Sequence, residues 1–222
     1  MEDFIGMKIE NTQVFGFGSA LRGMRNPLDS WDKSDSYLLS NHKHFSDTYE
    51  ENIEGFVLGN ADKNLSQRLV NAGTEHCKHL RMIQVWLDIT LPRYIWTEFD
   101  TYQHVNKISC STMHTLMKKP ITPDMFEDNF NYITENQIDT IMGFIDSYKK
   151  SNDNEEKKKC KYIVKSLLPE SFLQKRTINT SYMTLLNMYK QRKNHELPQW
   201  HRICNWIVLL PYFIELTDIE IK

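Results

Sequence analysis

A chain of 222 residues, 40% hydrophobic and 25% charged, carries enough apolar material for one ordinary core, so residues 1–222 are expected to form a single domain. A formal net charge of −2 excludes bulk attraction to nucleic acid. The longest apolar run, residues 203–214, is broken by Asn205 and Pro211 and is too short to span a bilayer, so no membrane partner is implied.

The acidic start, MEDFIGMKIE, lacks the basic region of a signal peptide. Cys77, Cys110, Cys160 and Cys204 lie far apart with no CxxC pair, which fits free thiols in a reducing, cytoplasmic setting.

Residues 8–17, with Ile9, Val14, Phe15 and Phe17, read as a first strand. The next stretch, GSALRGMRNPLDSWDKSDS, is punctuated by Gly18, Gly23, Asn26 and Pro27 and reads as loop. Inside it Arg22 and Arg25 stand three apart; such a pair can hold a phosphate or carboxylate, or be a solvated pair. Residues 45–60 read as a polar loop followed by a short apolar segment around Phe56. Asp62 is expected to cap a helix bearing Leu65, Leu69 and Val70 and ending near Gly73. In the GTEHCKHLR turn, His76 and His79 are spaced as a metal pair on a helix, but no third ligand stands at a diagnostic distance, so no metal is expected. His42 and His44 lack one too.

The clearest pattern runs from Met82 to Leu91. Ile83, Val85, Leu87, Ile89 and Leu91 alternate with Gln84, Trp86, Asp88 and Thr90, which is the period of a strand with one face on a core. Pro92 ends it, having no N–H to donate. Tyr94, Trp96, Glu98, Phe99, Asp100, Tyr102, Gln103 and His104 follow. They can line a ligand site at the strand's exit, or belong to a helix whose aromatics fill the core.

Ser109, Ser111 and Thr112 precede a helical stretch and can cap it or offer an anion site at its N-terminus. No GxSxG surrounds either serine, so a hydrolase elbow is not supported. Thr122-Pro123 signals a helix start. Ile138, Ile141, Met142, Ile145 and Tyr148 form a helical stripe. Residues 149–161 are a mixed-charge loop or helix start, and Pro169 terminates the helix after them. Residues 172–179 are extended or a linker. Thr180 or Ser181 caps a helix ending in Lys190, Arg192 and Lys193, cations that suit its dipole. Pro198 opens a last helix carrying Trp200, Ile203, Cys204 and Ile207.

Four of these stretches, in this order, resemble the flavin-dependent thymidylate synthases: SALRGMR, TEHCKHL, KSLLPES and SYMTLLNMYKQRKNHELPQW. The resemblance implies an α+β fold, with an antiparallel or mixed sheet flanked by helices. It implies a homotetramer that methylates dUMP at C5 with FAD, a reduced nicotinamide and methylene-tetrahydrofolate. It extends to a divergent branch found among phage-borne and Gram-positive proteins, with a cytoplasmic location expected, the host cytoplasm if phage-encoded. By position it assigns Arg22, Glu75, His76, Gln103, Asn179 and Ser181 to the cofactor. Ser109, Ser111, Lys165 and Arg192 go to the nucleotide, and Arg192, Tyr102 and Glu98 to the chemistry.

The departures are specific. The family's signature glutamine and tryptophan fall on Glu98 and Phe99. Its Arg-His-Arg signature falls on Thr101, Tyr102 and Gln103, and no arginine lies between Arg93 and Arg176. Other family arginines fall on Met113 and Met183. Each lost charge-assisted contact is worth ~1.5–3 kcal/mol, so two losses weaken a bound anion by roughly a hundredfold or more. Two functions follow: a pyrimidine-nucleotide C5-modifying enzyme with FAD held differently, or a nucleotide-binding protein without redox chemistry. Glu98 and Asp100, if they face the pocket, would repel a phosphate.

Overall fold

The computed structural model describes residues 6–38, 55–127 and 134–220. His42, His44 and the polar loop expected at 45–54 lie outside them. The strands are β1 (Lys8–Phe15), β2 (Tyr37–Leu38), β3 (Phe56–Val57), β4 (Gln84–Pro92), β5 (Asn106–Ser109) and β6 (Leu173–Ser181). The helices are α1 (Phe17–Arg25), α2 (Asn60–Ala72), α3 (Lys78–Met82), α4 (Arg93–Phe99), α5 (Thr112–Thr115), α6 (Glu135–Lys150), α7 (Asn154–Leu167), α8 (Tyr182–Arg192), α9 (Pro198–Val208) and α10 (Phe213–Thr217). The class is α+β. Four strands form a sheet in the order β1–β4–β6–β5, and β2 pairs antiparallel with β3. No helix among the described residues is long and apolar enough to cross a membrane.

The chain divides into two compact units. Unit 1 is drawn from Met1–Ile9, Asp88–Thr101 and Lys107–Thr177; unit 2 from Glu10–Leu87, Tyr102–Asn106 and Ile178–Lys222. In β4 the alternation holds: Ile83 just before it and Val85, Leu87, Ile89 and Leu91 within it are buried, whereas Trp86 is exposed.

Unit 2 is organised around α8. Seven of its eleven residues are buried, as befits a helix covered on most sides. Ser181 is its N-cap, accepting from the Thr184 N–H at 3.4 Å. Helix α3 packs against α1 and α8, and α2 against α10. Phe17 stacks on Phe56 at 5.4 Å, and Tyr182 meets Phe213 edge-on at 5.1 Å. Two bonds tie distant segments: Trp206 Nε1 to Thr12 Oγ1 at 3.3 Å, and Ser66 Oγ to the Leu216 carbonyl at 2.7 Å.

Three local expectations are corrected here. The glycine-punctuated stretch after residue 17 is helix α1, not loop. Ala20, Leu21 and Met24 bury one face of it, and that burial outweighs two glycines. The chain turns into α1 at Gly16, whose φ is +97°; a Cβ there would lie 2.7 Å from the Met82 carbonyl oxygen. Asp62 does not cap α2. Gly59 is the N-cap, the Asp35 carboxylate accepts from the Ala61 and Asp62 N–H groups, and Asp62 turns inward. Arg25 is likewise no solvated partner of Arg22: its Nε donates to Asp62 Oδ1 at 2.6 Å, with both side chains buried.

Unit 1 centres on α6 packed against α7, with Phe126, Ile141, Ile145, Val164 and Leu168 in its core. Thr122-Pro123 opens only a single 3-10 turn. The helix starts at the Thr134–Gln137 capping box instead. Residues 154–167 are helical behind an Asp153 cap, and 173–181 are extended as β6. Ser111 occupies the N-cap position of α5, but its side chain makes no capping bond.

Candidate functional site

Arg192 is the last residue of α8. Its Nε donates to the Tyr102 hydroxyl at 2.9 Å, and its guanidinium carbon lies 4.5 Å from the centre of the Trp200 ring and 5.8 Å from that of Tyr102. Trp200 is fully buried near the start of α9; Tyr102 and Arg192 are half-buried. The two rings meet edge-on at 6.0 Å, and the His195 ring approaches Trp200 at 6.2 Å. His195 is set in turn: its Nδ1 accepts from the Leu197 N–H at 3.1 Å. A planar cation is thus held by its edge through a phenol and by its face against an indole. A guanidinium fixed this way is a preorganised donor for carbonyl or oxyanion oxygens.

Asn179 belongs to the same unit. Its Nδ2 donates to Gln84 Oε1 at 3.1 Å, and its Oδ1 accepts from Asn106 Nδ2 at 3.2 Å. Gln103 and His104 are exposed, and His104 takes a left-handed φ of 60°. Glu75 and His76 are exposed and pair with each other at 3.5 Å. His79 is buried, whereas His76 is exposed. The Ser66 hydroxyl gives its one proton to the Leu216 carbonyl, so His79 Nε2, 2.8 Å away, is the donor to Ser66. Burial pushes the His79 pKa down to about 4. Among the described residues no three His, Cys, Asp or Glu side chains gather as a metal site. All four cysteines are free.

Arg22 lies in the wall of a cavity of about 260 Å³ along one face of α1, shared with Gly18, Leu21, Arg25, Trp31 and Phe56. Arg25 Nη2 and the nearby Ser30 Oγ are buried and have no hydrogen-bond partner among the described residues.

The remaining residues fall in unit 1. Glu98 is half-buried on α4, Ser109 is exposed on β5, and Lys165 is exposed in the last turn of α7. Helices α5 and α7 pack together, so Ser111 and Lys165 stand on neighbouring elements. Asp100 is occupied: Lys107 Nζ lies 2.8 Å from its Oδ1, and Arg176 Nη1 donates to both its oxygens at 2.8 and 3.1 Å. Burial alone would raise the Asp100 carboxyl. Hydrogen bonds from Lys107 and Arg176, and their charges, outweigh it and hold the pKa below its ordinary value. The Arg176 guanidinium also lies 4.0 Å from the centre of the Trp96 ring.

Sequence reasoning did not pair Arg192 with Trp200, which it placed in a core stripe, nor Arg176 with Asp100. A usable signal for the first was the short turn closed by Pro198, which folds α9 back on α8 with Arg192 and Trp200 eight residues apart. For the second there was none, because the two residues are 76 apart.

No family model matches the sequence, and no curated protein matches it. Solved structures do. Two structures of flavin-dependent thymidylate synthase from Helicobacter pylori, each with FAD and dUMP, superpose with a TM-score of 0.60 at 15% identity. Each covers 95% of this chain, which spans 97% and 96% of theirs. This chain has the fold of the flavin-dependent thymidylate synthases. Sequence order and backbone agree on it, although identity is low.

Thr101, Tyr102 and Gln103, where the sequence resemblance places the family's Arg-His-Arg signature, do not suit FAD held by cations there. Thr101 turns its hydroxyl back to the Glu98 carbonyl at 2.7 Å, Tyr102 is committed to Arg192, and Gln103 is a neutral, exposed amide.

Proposed function

We propose that this chain is a divergent flavin-dependent thymidylate synthase-like protein that binds a pyrimidine nucleotide of the dUMP type. One observation carries the reading: Arg192 is locked between the Tyr102 hydroxyl and the Trp200 ring at the end of the most buried helix. A uracil ring offers flat faces and carbonyl oxygens, which suit a fixed guanidinium beside an aromatic hydroxyl. The likeness to structures holding dUMP supports the same ligand class.

Binding without the family's redox step is the reading favoured, because no cation stands at the Arg-His-Arg positions. The second reading, C5 one-carbon transfer with FAD, is supported by the FAD in the neighbouring structures. Thermal-shift titration with dUMP and with FAD tests both. A ligand that binds only the native state raises the melting temperature. We expect a rise with dUMP that is lost in Arg192→Ala, whose unliganded fold still melts cooperatively. No rise with dUMP in the parent protein would overturn nucleotide binding. A flavin absorption band in the purified protein would establish the second reading in place of the first.

A further inference from the structure

We propose that a pocket at the C-terminal end of α8 is a second binding site, built for a compact zwitterion of the free α-amino acid class. The pocket measures about 240 Å³ and lies wholly within unit 2, walled by the ends of α2 and α8 and by the residues after α10. Its charges come from two of these elements. Lys190 and Lys193 line it from α8, and Asp218 and Glu220 from the chain after α10. Lys190, Asp218 and Glu220 are exposed and Lys193 is half-buried, so all four charges are reached from solvent. Among the described residues, neither lysine forms an ion pair with either carboxylate or with any other group. Opposite charges thus share one small pocket without neutralising each other.

Three of the four are positioned. Lys193 Nζ stands over the Tyr189 ring, 5.9 Å from its centre. Asn71 Nδ2 donates to Asp218 Oδ2 at 2.9 Å, while Asp218 Oδ1 takes no bond among the described residues. The Tyr189 hydroxyl donates to the Glu220 carbonyl at 3.5 Å, which lays the residues after α10 along that ring. The ligand class follows from the charge. Two cations and two anions sum to zero, so a simple anion drawn to the lysines meets the carboxylates, and a simple cation meets the lysines. A molecule with a carboxylate at one end and an ammonium at the other pairs with both. Val70, Ile219 and Tyr189 supply apolar lining for an uncharged side chain. The volume is below the ~300–1,000 Å³ typical of drug-sized ligands, so a dinucleotide such as FAD is too large for it.

The test is a thermal-shift series on the full chain at constant ionic strength, with the free L-amino acids of uncharged side chain as probes. We expect at least one to raise the melting temperature by roughly 3–6 °C at ~10-fold excess over its Kd. The same amino acid as its N-acetyl derivative, an anion only, or as its amide, a cation only, should shift it less at equal concentration. Lys190→Gln with Lys193→Gln should reverse that order, making the amide at least as effective as the free acid. Asp218→Asn with Glu220→Gln should do the same for the N-acetyl derivative, and asparagine tolerates the left-handed φ of 53° at position 218. Arg192→Ala should leave the shifts intact; their loss there would assign the binding to the nucleotide site and overturn this one. No shift with any free amino acid, equal shifts with the free, N-acetyl and amide forms, or an order unchanged in both double variants would also overturn the proposal.

Discussion

The Arg25–Asp62 pair of unit 2 and the Arg176–Asp100 pair of unit 1 use the same two residue types at different depths. In unit 2 both side chains are almost fully buried, at 4% and 0% exposure; in unit 1 the aspartate is 44% exposed. Every guanidinium nitrogen of Arg176 is engaged, Nη1 with Asp100 and Nε and Nη2 with Gln174 Oε1 at 3.1 and 3.0 Å. Arg25 Nη2 is buried with no hydrogen-bond partner among the described residues. Depth makes the first pair costly to break. Exposure and full satisfaction make the second a cross-link between β6 and the end of α4.

The largest break is Arg25→Ala. It strands a buried carboxylate, so urea unfolding should show a loss of about 3–5 kcal/mol. A double variant, Arg25→Met with Asp62→Leu, should recover most of that loss, because no buried charge is then left alone.

Acid sharpens the comparison next. Both aspartates have lowered pKa values. Burial opposes this at Asp62 as at Asp100, and bonds from Ser36, Ser34 and Arg25 overcome it. A carboxyl lowered on folding gives stability that is present above its ordinary pKa of 3.8 and lost as pH falls toward the folded value. His79 contributes before that. Its pKa falls from 6.5 to about 4 on burial, so the unfolded chain binds the proton first. Its contribution is full above pH 6.5 and lost between there and about pH 4, amounting to roughly 3 kcal/mol. His79→Gln should flatten that limb and leave the steeper loss below it to Asp62.

The smallest effect is Arg176→Ala. With Asp100 open to water, the loss should be ~0.2–1 kcal/mol and should shrink in high salt. A loss as large as that of Arg25→Ala would erase the distinction between the two pairs.

The elements that were legible in the sequence carry a strong period. β4 alternates cleanly, and α6 and α9 show their stripes. Helix α1 was obscured because Gly18 and Gly23 weigh against a helix locally, whereas Ala20, Leu21 and Met24 earn it only through burial in the fold. Asp62 looked like a cap because capping is local. Its partner Arg25 is 37 residues away, a distance at which no spacing rule applies. The site divides the same way. Arg192 and Tyr102 were each singled out by position, but their bond spans 90 residues, and Trp200 carried only the signature of a core residue.

The Trp206–Thr12 hydrogen bond joins residues 194 apart, and the Ser66–Leu216 bond spans 150. During synthesis, then, the ribosome releases nearly the whole chain before unit 2 can close. Until that moment α2 emerges without α10, against which it packs. Folding rates fall as contacts lengthen, so the nascent chain should be slow to mature and dependent on holding chaperones for that interval.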